Sequence, residues 1–440
     1  MASELTLQVH IQGGWQDAAT VAFKDPASGH RGGASFDYHL DYCLAHDPEI
    51  SGTRRDHAAV SVCLPISMEW RAFAHWPAFL VDLLPQGYGR AALTPLLGFE
   101  RDSDAADLPL LLRAGGAPIG NIRVKEAWEA EQTRLSNAGY WGLNLDEVFG
   151  LSERFVALAA EFAVTASGSS GVQGAWPKLL LTQHRDGLWY PDPLVADEDA
   201  VDHVIVKWVG DKSRETRLIL ASEAPYLELA RAFGLRCGRP LQYRSDVLLM
   251  PRFDRAVEDG QVRRLGQESL VAASGIAAFG HEAAHEDYLQ VIKRVCDQPA
   301  DEVTEYVLRD VLNLALGNPD NHGRNAALQK RLDGSIRLSP LYDFCPMRLD
   351  PTGIRRSTRW ACMQGIGGTV SDIAPDWAVI CRVAADGVMD ANHLREILAS
   401  KADTVSRLPA LGLDLGLDPM VISQAMGRCA EIAQAIGLLA

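Results

Sequence analysis

The sequence has no excess of positive charge: 42 Lys and Arg stand against 57 Asp and Glu, a formal net charge of −15. General nucleic-acid or anionic-membrane binding needs a broad basic surface and is disfavoured as the main role. One basic stretch remains, with Arg348, Arg355, Arg356 and Arg359. It reads either as a local patch or as a solvated loop. The eight cysteines, Cys43, Cys63, Cys237, Cys296, Cys345, Cys362, Cys381 and Cys429, form no C-x-x-C pair and no zinc-ligand spacing. Several sit in apolar runs, the habit of buried thiols in a reducing compartment. No run of 18 apolar residues occurs, and the N-terminus MASELTLQVHIQGGW lacks the basic and apolar regions of a secretory signal. A cytoplasmic protein is expected. G-x-x-x-x-G-K-[ST] is missing too, which excludes a Walker A phosphate loop.

What is there is an ordinary globular chain of 440 residues, 47% hydrophobic, long enough for two or three domains. Residues 4–12 alternate as a strand, and the apolar stretch 57–65 reads as another. Residues 68–98 look helical with a break at Pro85-Gln86-Gly87, 107–115 form a short helix, and GAPIGNIRV reads as turn and strand. Residues 1–125 therefore make an α+β module. Helical sequence fills 126–166, followed by the Gly/Ser-rich loop 167–175. Strands are expected at 178–182, 203–209 and 246–253, with a helix at 221–234; the segment 126–255 is a second, sheet-bearing part. From 256 to 440 the pattern is helical, with helices at 285–297, 301–316, 376–384, 391–407 and 418–438. One hairpin interrupts it at 326–343. A β-rich half followed by an α-rich half predicts an α+β, two-lobed architecture.

The segment with the most chemistry is Gly317-Asn318-Pro319-Asp320-Asn321-His322-Gly323-Arg324-Asn325. In phosphoryl transfer, Asp orients the attacking hydroxyl and accepts its proton, and Asn a few residues on offers Mg²⁺ a neutral oxygen. The Asp320–Asn325 spacing has the D-x-x-x-x-N form of a kinase catalytic loop. The same residues also make an ordinary turn. Asp333-Gly334 predicts a two-residue hairpin turn, which sets Asn325 opposite Tyr342 and Arg324 opposite Asp343. Asn325 and Asp343 can then share one hard cation. Lys207 lies on an apolar strand where it can meet phosphate charge, or serve as an edge-strand lysine. Glu223, read as beginning the next helix, either pairs with Lys207 or sits at a favourable helix N-terminus.

These segments, in this order, resemble the HipA family of serine/threonine kinase toxins. LGNPDNHGRN (316–325) is similar to its catalytic loop and LSPLYD (338–343) to its metal-binding strand. DVLLMPRFDR (246–255) resembles its hinge and SEAPYLELARAFGL (222–235) its Glu-bearing helix. LVDLLPQGYGR and LPLLLRAGGAPIGNIRV resemble its N-terminal subdomain. The resemblance implies a kinase-like fold with a β-rich N-lobe and a mostly helical C-lobe, working with ATP and Mg²⁺. It implies Asp320 as catalytic base, Asn325 and Asp343 as metal ligands, and His322 near the phosphates. It places Lys207 on ATP and the adenine along Met250 to Phe253. Ser170, Gly171 and Gln173 match the front of the family's ATP loop and Lys178 its end, with three extra residues between. Arg324 stands where Lys is common. A protein substrate, such as an aminoacyl-tRNA synthetase, and a small DNA-binding antitoxin are implied as partners. The competing readings are a pseudokinase acting as an interaction module and a small-molecule hydroxyl kinase.

Overall fold

The computed structural model describes residues 4–101, 103–136, 139–166, 176–209, 213–363 and 375–440. The chain divides into two compact units. The first comprises Met1–Gly210, Gln242–Phe279 and Leu328–Ser335; the second comprises Asp211–Leu241, Gly280–Ala327 and Ile336–Ala440.

The first unit is built on two antiparallel sheets. One contains β1 (Glu4–Ile11), β2 (Gly14–Phe23), β3 (Ala34–Tyr38), β4 (Arg71–Phe73) and β5 (Ile122–Val124), in the order β4-β3-β2-β1-β5. The period-2 alternation of β1 sends Leu5, Leu7, Val9 and Ile11 into a core with Val21, Phe36, Trp76 and Leu111. Gln8 and His10 face the other way, yet they too are buried. The second sheet contains β6 (Lys178–His184), β7 (Trp189–Pro191), β8 (Ala200–Trp208), β9 (Gln242–Arg244) and β10 (Val247–Pro251), in the order β7-β6-β8-β10-β9. Leu179, Leu181, Val204, Val206, Val247 and Leu249 pack one face of it against Phe155, Leu158 and Phe162.

Two expectations for this unit fail. Residues 57–65 are not a strand; only a lone Ser61–Leu64 bridge forms. The run is apolar because it is buried, and side chains from elsewhere satisfy its backbone. Tyr42 donates to the Ala58 carbonyl, Asn121 to that of His57 and Lys330 to that of Ala59, while Val62 N–H donates to Glu268. Residues 68–98 hold strand β4 and two short helices, Phe79–Asp82 and Gly87–Leu96, with the break where Pro85-Gln86 predicts it.

The second unit is mostly helical: Arg214–Phe233, His285–Val295, Pro299–Ala315, Trp377–Ala385, Ala391–Ser400, Ala402–Asp414, Pro419–Ala425 and Cys429–Gly437. Asp376, Asp390 and Asp418 cap three of these by accepting backbone N–H bonds. The expected helices 391–407 and 418–438 are each two, broken at Lys401 and at Met426-Gly427-Arg428. Glu223 is not at a helix start. Ser213 caps that helix, and Glu223 is buried well inside it.

The hairpin is present, with arms Ala327–Lys330 and Ile336–Leu338, but its register differs by one residue. Ser339 N–H donates to the Ala327 carbonyl (2.8 Å) and Arg331 N–H to that of Ser335 (2.9 Å). The loop has three residues rather than two: Gly334 N–H closes a turn on Arg331, and Gly334 itself takes φ +84. A type I turn followed by a left-handed glycine is the usual three-residue hairpin loop. The facing of Asn325 with Tyr342 and Arg324 with Asp343 is therefore not the register formed.

A charged network in the second unit grips the return strand. Arg236 forks onto Glu302 with both Nη atoms (2.9 Å each) and onto the Leu338 carbonyl (2.7 Å), while Glu302 accepts from Leu338 N–H (2.9 Å). Arg309 holds Glu305 and the Ser339 carbonyl. Removing one partner of a buried pair strands the other charge. Arg236→Met is expected to destabilise this unit by about 3 kcal/mol. An unchanged urea midpoint for the helical signal would show that the network carries no net weight.

Candidate active site

The helix Pro299–Ala315 ends at Leu316, and the chain turns sharply through Gly317 (φ +64). Asn318 then locks the loop to that helix: its N–H donates to the Asn313 carbonyl (2.9 Å) and its amide to Asn313 Oδ1 (3.0 Å). Its Oδ1 accepts from Asp320 N–H (3.3 Å). Asp320 Oδ1 lies 3.4 Å from His322 Nε2, and both side chains are partly exposed. Gly323 packs on Tyr288 so closely that a Cβ would lie 2.2 Å from its hydroxyl oxygen, so only glycine fits there.

Asn325 donates its amide to the Asp320 carbonyl (3.0 Å). That bond orients the side chain and leaves Oδ1 with no hydrogen bond among the described residues. Asp343 follows the return strand with a left-handed backbone, φ +50. Aspartate tolerates that conformation better than most residues, and such positions cluster at functional sites. Asp320, His322, Asn325 and Asp343 all line one open pocket. Two carboxylates and a neutral amide oxygen are the donors a hard divalent cation prefers.

In the first unit, register sets Lys178 directly opposite Lys207, and Lys207 opposite Leu248. Facing residues share a face, so Lys178, Leu180, Lys207, Ile205, Leu248 and Met250 lie together on the side away from the Phe155 core. Both lysines are buried. Lys207 Nζ also sits 4.8 Å from the Trp176 ring centre. Two ammonium groups on adjacent positions of one face favour an anion there. Phe253 lies just past β10, partly buried, and its carbonyl accepts from Gln329 (3.2 Å). Ser170, Gly171 and Gln173 lie outside the described residues.

Sequence reasoning missed the support beneath the catalytic-type loop. Asn321 exchanges hydrogen bonds with the Thr358 backbone (2.9 and 3.3 Å). Asp310 accepts from Arg356 (2.6 Å) and from the Trp360 indole (2.9 Å). Two of the supposed basic-patch residues are thus internal fasteners, since Arg359 also pairs its backbone with Ala283 and His285. His285 stacks on Trp360, bonds the Tyr306 hydroxyl (2.9 Å) and faces Asp310 and Arg356. The one available signal was Arg309-Asp310 inside an apolar helical stripe, where charge must be paired.

Burial holds the His285 imidazole down to about pKa 4, with Arg356 lowering it further and Asp310 and Glu286 opposing. Unfolding returns it toward the ordinary histidine value, so the unfolded chain binds the extra proton. Stability from this group is therefore full above about pH 6.5 and falls by about 3 kcal/mol toward pH 4. His285→Gln should flatten that part of the stability curve in denaturant titrations across pH; an unchanged slope would mean the histidine takes up its proton in the fold as it does in the unfolded chain.

A lysine-bearing antiparallel sheet in one unit and an acid-and-amide loop closing a helical unit define an α+β fold of the kinase-like class. The chain belongs to the HipA-like C-terminal domain family, whose family model matches residues 170–407, more than half of it. It is 27% identical over 382 residues to a Sinorhizobium fredii protein named "Putative kinase Y4mE", covering 82% of this chain and 85% of that one. It is also similar in fold to the HipA toxin of Shewanella oneidensis MR-1, solved with HipB and its operator DNA. That likeness covers 99% of both chains, with a TM-score of 0.64 and 17% identity. No helix among the described residues is long and apolar enough to cross a membrane.

Proposed function

We propose that this protein is an ATP- and Mg²⁺-dependent kinase of the HipA type that phosphorylates a serine or threonine hydroxyl on a protein. The observation that carries the reading is the gathering of Asp320, Asn325 and Asp343 around one pocket. Asp320 is assigned as the base that orients the acceptor hydroxyl and takes its proton. Asn325 Oδ1 and the Asp343 carboxylate would hold Mg²⁺, which when bound neutralises charge on the transferring phosphoryl group. His322, beside Asp320, is assigned to the phosphates. Lys207 and Lys178 are assigned to the phosphate charge of ATP, and Met250 and Phe253 to its adenine. Ser170, Gly171 and Gln173 are assigned to the loop over the phosphates. The solved HipA relative is in complex with HipB and DNA. A small DNA-binding antitoxin is accordingly proposed as the partner here.

Incubation with labelled ATP and Mg²⁺, alone and with a cell lysate, tests the reading. Label on this chain or on a discrete lysate protein is the expected result. Nucleotide binding without transfer would make the protein a pseudokinase instead, and transfer only to small molecules would make it a metabolite kinase.

A further inference from the structure

The polar face of the N-terminal sheet carries a second cavity. Register places Gln8 opposite both Arg123 and Asp17, and His10 opposite Trp15, so these side chains share the face turned away from the Leu5–Leu7–Val9 core. A cavity of about 320 Å³ opens over that face, bounded also by Trp128, Glu198, His203, Arg255 and Arg264. It belongs wholly to the first unit. Thr182 and His203 border it, four residues along β6 and β8 from Lys178 and Lys207. At the strand rise that is about 13 Å away. The apolar cluster of Ile119, Leu180, Ile205 and Met250 lies between.

The charges lining this cavity balance in number, Arg123, Arg255 and Arg264 against Asp192, Asp197 and Glu198, but they are not all paired. Asp192 is engaged by Arg252 (2.6 Å) and Arg255 (3.6 Å), and Asp197 by Arg264. Arg123 is left over. It is 7% exposed, its Nε donates to the neutral Gln8 Oε1 (2.7 Å), and no carboxylate lies within 4.0 Å among the described residues. Trp15 and Trp128 hold its guanidinium at 4.2 and 4.4 Å from their ring centres. The rings fix its position by cation–π attraction without consuming its hydrogen-bond donors. Its two Nη groups make no hydrogen bond to the protein among the described residues. Arg264 Nε and His203 Nε2, on buried side chains bordering the same cavity, also lack partners. Burial and the neighbouring Arg264 press the Arg123 guanidinium down to about pKa 9, the cost of two close buried cations.

We propose that this cavity binds a small oxyanion-bearing metabolite, its phosphate or carboxylate group seated on the Arg123 fork beside Arg264. Guanidinium forks match both groups in two-point geometry. His10, held neutral by burial with a pKa of about 4, remains a donor or acceptor at the rim. The volume falls in the range of metabolite pockets.

Titration of the full chain with inorganic phosphate, and separately with citrate, tests this by tryptophan fluorescence and by shift of the melting temperature. The two probes separate a phosphate ligand from a carboxylate one. Arg123→Gln should weaken binding about tenfold or more, the worth of one charge-assisted contact. Since Arg123 is buried, Glu198→Lys provides a second variant. Glu198 borders the cavity and is exposed. This change replaces a negative charge at the mouth with a positive one, touches no buried group and should tighten binding about twofold or more without lowering the melting temperature. Lys207→Ala should bind the probes as the native chain does. Absence of binding by both probes, unchanged or weakened affinity in Glu198→Lys, or loss of binding on Lys207→Ala would overturn the assignment.

Discussion

Asp320→Ala is expected to lower phosphotransfer by about 100- to 10,000-fold, the range set by removal of a positioned general base. The fold should survive. Asp320 sits in a partly exposed polar loop whose backbone is anchored by Asn318 and Asn325. Asn325 bonds the Asp320 carbonyl, which alanine keeps. The change should therefore shift stability by no more than about 1 kcal/mol. Labelled-phosphate transfer and thermal melting run side by side separate the two effects. If Asp320 orients the acceptor hydroxyl, binding of Mg²⁺-nucleotide should be nearly native while turnover collapses, because the lost interaction is made to the acceptor and not to ATP. Asp320→Ala with native turnover would remove it as the base. Asp320→Asn should be almost as inactive, since the amide keeps the shape and loses the proton acceptor.

The parts of this fold that read correctly from sequence are those whose physics is local. The alternation in LTLQVHIQG reports β1 because side-chain direction in a strand depends only on position parity. Asp320 and Asn325 could be paired because five residues of one loop hold them. That Lys178, Lys207 and Met250 share one sheet face is set by pairing between separate strands, and no local pattern announced it. Failures came where distant residues decide. Nothing within 57–65 reveals that Glu268, Lys330 and Asn121 will satisfy its backbone, so an apolar run was taken for a strand. The Asp310–Arg356 fastener joins positions 46 apart and leaves no periodic trace. Arg123 was invisible as a site residue because its significance lies in two tryptophans and an absent counter-ion. The hairpin register turned on a single conformational preference: Gly334 takes the left-handed position after a turn that closes one residue earlier. That slip changes which residues face each other, while Asn325 and Asp343 still line one pocket. Asp343 reaches the shared pocket through its own left-handed backbone rather than through strand pairing with Arg324.

That backbone shapes the second large prediction. Asp343→Ala removes a carboxylate and also places alanine at φ +50, which costs about 1 kcal/mol by itself. Asp343→Asn is the cleaner change, because asparagine tolerates the same conformation and keeps the side-chain shape. It exchanges a charged ligand for a neutral one beside Asn325, leaving the cation pair-site with two neutral oxygens. Loss of an outer-shell partner typically weakens a metal site by about 10- to 100-fold, so loss of a charged direct ligand should cost at least about 100-fold in Mg²⁺ affinity. Stabilisation by bound ligand follows the logarithm of its concentration over its dissociation constant. The melting-temperature rise given by ATP with Mg²⁺ should therefore shrink sharply in Asp343→Asn. The smaller rise given by ATP with EDTA should stay as in the native chain. Raising the Mg²⁺ concentration should restore part of the shift, which a general loss of nucleotide binding would not allow. Equal shifts for native and Asp343→Asn chains at every Mg²⁺ concentration would show that Asp343 is not a metal ligand. The kinase reading would then lose its charged anchor for the phosphates.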